Sequence, residues 1–215
     1  MKPITELSRR ATPFPKPQAL FVDDSTLWMS SRATQRVYAV DRGSLRVTWE
    51  TAAPSVVWGL TKWGADLFAV LGEEAEGTPR TIRRCMPRVG FDPAFSVPCP
   101  EGLGSHLSFD GVSLILSQWY PQKLISIGRD GQPGRVLPVP HQIVGHCFAQ
   151  GAFWLATTDD EETNDYWLTR LDPATGRSQD VARIGFAARA LSFDGQHFWT
   201  NHREANEVVQ FAFAD

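Results

Sequence analysis

Leu191-Ser192-Phe193-Asp194-Gly195-Gln196-His197-Phe198-Trp199 is the stretch on which the fold turns. An alternating apolar segment runs into Asp-Gly and emerges as two large apolar side chains. Asp-Gly between apolar alternations is a strong short-range hairpin signal. The same phrase returns four more times, as ALFVDDSTLWM (Ala19 to Met29), GLTKWGADLFA (Gly59 to Ala69), HLSFDGVSLIL (His106 to Leu116) and HCFAQGAFWL (His146 to Leu155). Repetition at such a period marks a stacked or radial repeat, in which no unit buries its apolar face alone.

Trp28, Phe68, Ile115, Trp154 and Trp199 mark one phase of the repeat. Their separations, 40, 47, 39 and 45 residues, suit a four-stranded propeller blade. A second step recurs inside each copy. It is 13 residues from Leu27 to Val40, Leu114 to Ile127 and Phe198 to Phe211, and 18 from Leu67 to Cys85 and Phe153 to Leu171. The extra residues fall in acidic stretches, Gly72 to Gly77 and Thr158 to Glu162, as loop insertions on a fixed scaffold do. These spacings predict an all-β chain, a five-bladed propeller with blades near 18–50, 57–98, 104–140, 144–183 and 187–213. Too few residues follow Phe211 for a fourth strand, so the segment 3–8 is expected to complete the last blade and close the ring. A two-sheet sandwich has no reason for five copies of one motif.

Composition narrows the function classes. The 215 residues carry a net charge of −3, and the 21 basic residues are scattered without a Lys/Arg run. Nucleic acid and anionic membranes are therefore not expected partners. No apolar run approaches the ~18 residues of a membrane helix, and the N-terminus reads as no signal peptide. Cys85, Cys99 and Cys147 are odd in number and widely spaced. A soluble, reducing, cytoplasmic setting is the expectation.

The pattern apolar-x-Phe-Asp-Gly-x-x-Phe-Trp, carried by Leu191 to Trp199, joins Leu-Asp-Pro-x-Thr-Gly at Leu171 to Gly176. Together they resemble the propeller group of streptogramin lyases, gluconolactonase-like proteins and NHL-type repeats. The resemblance covers the chain from about residue 18 and implies the fold alone, because those are packing and turn positions. The blade count, with Trp58-Gly59-Leu60-Thr61, is also similar to plant-type glutaminyl cyclases. Their Asn-Glu-Leu-Glu segment has no equivalent, since Asn206-Glu207 is followed by Val208-Val209. No catalytic residue is carried over from either group.

In an antiparallel four-stranded unit the loops alternate between two ends. One end here gathers the longer, more varied loops and is the expected mouth of the channel. It holds His106, His146, His202 and Arg189 as candidate catalytic groups. Gln18, Trp58, Glu73, Trp119, Tyr120 and Arg203 are candidate ligand contacts. One imidazole would serve as a general base near neutral pH. His106 and His146, with His202 or an acid from Asp159 to Glu162, are also the candidate ligands of a divalent metal. Against both stands a structural role, hydrogen bonding to neighbouring backbone. No nucleophile elbow, phosphate loop or dinucleotide fingerprint is present, so no other cofactor is evident. The expectation is a small-molecule ligand with lyase-, cyclase- or hydrolase-type chemistry. The alternative is a non-catalytic platform for a protein or glycan partner.

Overall fold

A computed structural model describes residues 1–75 and 77–213. Its strands are β1 (Lys2–Pro3) and β2 (Thr5–Ala11), then β3 (Pro17–Asp23), β4 (Thr26–Ser31), β5 (Arg36–Asp41) and β6 (Val47–Ala52). The second blade holds β7 (Val57–Trp63), β8 (Asp66–Leu71), β9 (Thr81–Met86) and β10 (Gly90–Pro98). The third holds β11 (Leu107–Phe109), β12 (Leu114–Gln118), β13 (Lys123–Ile127) and β14 (Pro133–Pro138). The fourth holds β15 (Gln142–Ala149), β16 (Ala152–Thr158), β17 (Tyr166–Leu171) and β18 (Ser178–Ile184). The fifth holds β19 (Ala188–Phe193), β20 (Phe198–His202) and β21 (Glu207–Ala212), with β2 as its outer strand. Inner strands pack side by side around the ring, β3 on β7, β7 on β11, β11 on β15, β15 on β19 and β19 on β3.

The five counted steps are all cross-strand pairs: Leu27↔Val40, Leu67↔Cys85, Leu114↔Ile127, Phe153↔Leu171 and Phe198↔Phe211. Each pair is buried at or below 4% exposure, so side-chain alternation locks the register. The hairpins follow turn chemistry. Asp194 Oδ1 accepts from the backbone N–H of Gln196 and His197, and its Oδ2 accepts from Trp199 Nε1. One side chain thus fixes both the turn and the phase-marking indole. Gln150 and Gly151 both take positive φ (53° and 74°), as a two-residue hairpin turn requires. Trp154 and Trp199 are buried and Trp28 is half-buried against the next blade.

The predicted closing strand is present and longer than expected. β2 pairs antiparallel with β21 from Thr5↔Ala212 to Ala11↔Glu207. The two residues before it continue onto the fourth blade, where β1 runs parallel to β18. Ile4 N–H donates to Arg183 O at that crossing. No helix among the described residues is long and apolar enough to cross a membrane.

Candidate functional site

Four inner strands depart from regular pairing near the same end of the ring. The registers shift between Pro17 and Leu20 in β3, Val57 and Gly59 in β7, Ile143 and Gly145 in β15, and Arg189 and Ser192 in β19. A bulge inserts an extra residue and re-aims the side chain it carries. Gln18, Trp58, Val144 and Arg189 sit at these irregularities, and all four line one cavity of about 760 Å³. Hydroxyls on the second strands satisfy backbone groups that the shifts release. Ser30 Oγ accepts from Ala19 N–H and donates to Val57 O. Thr200 Oγ1 donates to Ala190 O, and in the third blade, whose inner strand has no shift, Ser117 Oγ accepts from His106 N–H just ahead of β11.

Of the candidate residues, Gln18, Trp58, Glu73, His106, Trp119, Tyr120, Arg189 and Arg203 come together around this cavity. His146 and His202 do not line it. His106 and His146 are not equivalent positions. His106 O accepts from Ser117 N–H, two residues past Ile115, whereas His146 pairs with Leu155, one past Trp154. One residue of offset sends the side chains to opposite faces. His146 instead lies buried with Nδ1 2.9 Å from Ser108 Oγ, and burial pushes its pKa down to about 4. His202 stands away from the pocket, its Nδ1 3.3 Å from Arg9 Nη1 on the N-terminal ribbon and its ring against Phe186. The three imidazoles thus do not converge, and no three His, Cys, Asp or Glu side chains cluster as a metal site among the described residues.

His106 is buried in the cavity wall at 5% exposure, beside the equally buried Arg189. Burial, then His146, Arg189 and Arg80, hold its pKa well below the usual histidine value. It is a neutral imidazole at ordinary pH. Cys85, Cys99 and Cys147 are free and buried, and burial raises all three thiols, so none is an activated nucleophile.

Charge around the cavity is layered. The Arg189 and Arg203 side chains are only 8% and 14% exposed, against 52% for Glu161 and 50% for Glu74. Guanidiniums lie deep and carboxylates stand at the rim. Arg189 Nη2 donates to Glu161 Oε2 at 2.8 Å and Arg189 Nη1 to Tyr166 Oη at 2.9 Å. Arg203 Nη1 donates to Gln18 Oε1 at 2.9 Å. Burial, with Arg189 nearby, lowers the Arg203 pKa. Trp58 is fixed by donating Nε1–H to Gly72 O, with the Arg80 guanidinium 4.0 Å above its ring. The indole face expected to stack on ligand is thus shared with a cation.

Arg80 is the charged pocket residue of most consequence that sequence reading missed, along with Glu101, Ile143 and Val144. It closes the acidic insertion of the second blade, and its position just ahead of β9 was the available signal. Glu76, in the same insertion, lies outside the described residues. The fourth-blade insertion is anchored by the half-buried His141. Its Nδ1 lies 2.7 Å from Asp159 Oδ1 and its Nε2 3.2 Å from Asp180 Oδ2. Burial lowers the His141 pKa, but the two carboxylates outweigh it and the net shift is upward from 6.5. A raised folded pKa stabilises fully below the unfolded value and is lost as pH climbs through the folded one. Raising pH from about 6 to about 8 should therefore loosen the loop 159–165. Amide exchange in this loop measures it, and His141→Gln should remove the pH dependence. An equal pH dependence in the variant would rule His141 out as its cause.

No family model matches the chain, and no curated protein matches it in sequence. Solved structures do match in shape. Glutaminyl cyclase from Myxococcus xanthus superposes with a TM-score of 0.73 at 11% identity, over 98% of each chain. Aldose sugar dehydrogenase from Streptomyces coelicolor, in its PQQ-bound form, gives 0.63 at 12% identity, over 97% of each chain. Virginiamycin B lyase from Staphylococcus aureus, a catalytically inactive variant with quinupristin, gives 0.58 at 15% identity. There the match covers 92% of this chain and 67% of that one. The shared feature is the fold. The resemblance to streptogramin lyases and glutaminyl cyclases read from the repeat thus reappears in three dimensions. These neighbours are enzymes carried on propellers, and at such identities their substrates and residues are their own.

Proposed function

We propose that the mouth of the ring is a small-molecule pocket in which His106 does acid–base work. The observation that carries this reading is a buried, neutral imidazole on the wall of a 760 Å³ cavity. Small-molecule pockets of about 300–1,000 Å³ combine apolar walls with a few convergent polar groups. Trp119, Ile143 and Val144 supply such walls here, and Gln18 and Arg203 the polar groups. A neutral His106 offers a ring nitrogen to a bound ligand, and an anionic ligand that offsets Arg189 and Arg80 would raise its basicity towards proton transfer. The lyase, cyclase and hydrolase classes all use that step. The likeness to propeller enzymes, among them a lyase, supports a catalytic reading. A reducing, cytoplasmic setting fits three buried free thiols.

A thermal-shift screen with a metabolite library, run on the wild-type chain and on His106→Ala and Trp119→Ala, tests this. The expected result is a compound class that stabilises wild type and shifts neither variant. A library that shifts nothing, or that shifts all three proteins alike, overturns the pocket reading. It would leave the flat interaction platform in its place.

A further inference from the structure

The layering of charge carries the identity of the ligand one step further. Arg80, Arg189, Arg203 and Arg32 all border the cavity, with Glu73, Glu74, Glu101 and Glu161 around them. Most of these pair off. Arg32 bonds Glu74, Arg189 bonds Glu161, Arg203 bonds Glu204, and Lys123 bonds Glu101. In every pair the carboxylate is the more exposed partner. Arg80 has no carboxylate within ion-pair distance among the described residues. It is half-buried, donates to Gly104 O, and lies over Trp58. Withdrawing a cation from water without a counter-ion is costly, so its exposed flank in the cavity favours an anion.

We propose that this pocket takes a small carboxylic acid, seating a carboxylate against Arg80 and Arg203, with Glu161 as a built-in competitor for Arg189. The inference rests on the reading of the mouth as a ligand pocket. Glu161 supplies the chemical identity. It is an exposed loop residue whose carboxylate reaches in to a guanidinium that is itself buried. Arg189 Nη2 already holds a carboxylate oxygen through one charge-assisted hydrogen bond, and the fork of a free guanidinium matches a planar carboxylate, so the protein displays the class of contact that a ligand would make. Trp119, Ile143 and Val144 beside the arginines suit a carbon skeleton better than a bare inorganic ion. A ligand with a second carboxylate would release Glu161 and take its place on Arg189.

Calorimetric titration of the full chain with succinate, citrate and inorganic phosphate tests the proposal. Succinate or citrate is expected to bind more tightly than phosphate. Arg80→Met should weaken the tighter acid about tenfold or more, the scale of a lost charge-assisted contact. Glu161→Gln, on an exposed loop that does not threaten folding, should strengthen it several-fold. Arg80→Lys, which keeps the charge and loses the fork, should fall between. Failure of both acids to bind the wild type below about 10 mM overturns the proposal. Tighter binding of phosphate, an unchanged affinity in Arg80→Met, or a weaker one in Glu161→Gln does so too. A neutral or cationic hit from the metabolite screen that depends on His106 would sink the carboxylate inference and leave the pocket reading standing. A screen with no hit would end both.

Discussion

Removal of residues 2–11 is expected to open the ring and cost most of the stability of the chain. β2 is the whole outer strand of the fifth blade and makes six residue pairs with β21. The ribbon also ties its neighbours together. Arg9 donates to Glu207 and its guanidinium stacks 4.4 Å from Phe186, between the fourth and fifth blades. Arg10 donates to Arg42 O and Gly43 O in a turn of the first blade. At about 1 kcal/mol net for each ladder hydrogen bond, the loss is about 5–8 kcal/mol. That compares with about 5–15 kcal/mol for a whole folded chain. The truncation also bares the β21 edge beside buried Val208 and Val209, an aggregation template. Denaturant titration and light scattering give the measurement. A truncated chain that stays monomeric, with its midpoint barely moved, would contradict the closure account.

The second large effect concerns two glycines. A Cβ on Gly145 would lie 2.2 Å from the Ala190 carbonyl carbon and 2.4 Å from its Cα. One on Gly59 would lie 2.5 Å from His106 Cα. Both obstacles are backbone, so no side chain can swing aside. Ala190 already holds a left-handed φ of 62° and has little freedom left. Gly145→Ala should cost about 3 kcal/mol, the upper range for overpacking, by wedging the fourth and fifth blades apart. Gly59→Ala should cost a similar amount and also displace His106. The ligand found for wild type should then bind less well even at temperatures where the variant is folded. Unfolding midpoints within about 0.5 kcal/mol of wild type would show that the inner strands yield more easily than their packing suggests.

These two probes also mark where the sequence was legible. Strand register was readable because a buried pair must recur at a fixed count, and Leu27–Val40 and Phe198–Phe211 do so. Insertions were readable for the same reason, since a conserved step of 13 or 18 residues exposes an added loop. The bulges were not. They move Trp58 and Gln18 into the cavity through backbone irregularity, for which side-chain alternation carries no signature. The expected convergence of His106 and His146 at the mouth failed on one residue of phase, which is invisible until the cross-strand partners Ser117 and Leu155 are known. Arg80 escaped because a loop-end arginine has many possible directions, and stacking over Trp58 selects one of them. Pro3 was expected only as part of the closing strand, and Lys2 lay outside it. Two residues are too few to show any period, and their step onto β18 was lost.

The closing ribbon has a mechanical meaning as well. Thr5 pairs with Ala212, so the two chain ends leave the fifth blade at the same place. Tension between them would bear first on the short β1–β18 contact of Lys2 and Pro3, and then on each β2–β21 pair in turn from Thr5 towards Ala11 and Glu207. Antiparallel strands loaded from one end part like a zip at low force, whereas strands pulled along their length share the load. A ring held shut by this ribbon would therefore yield to a gentle tug at its own ends.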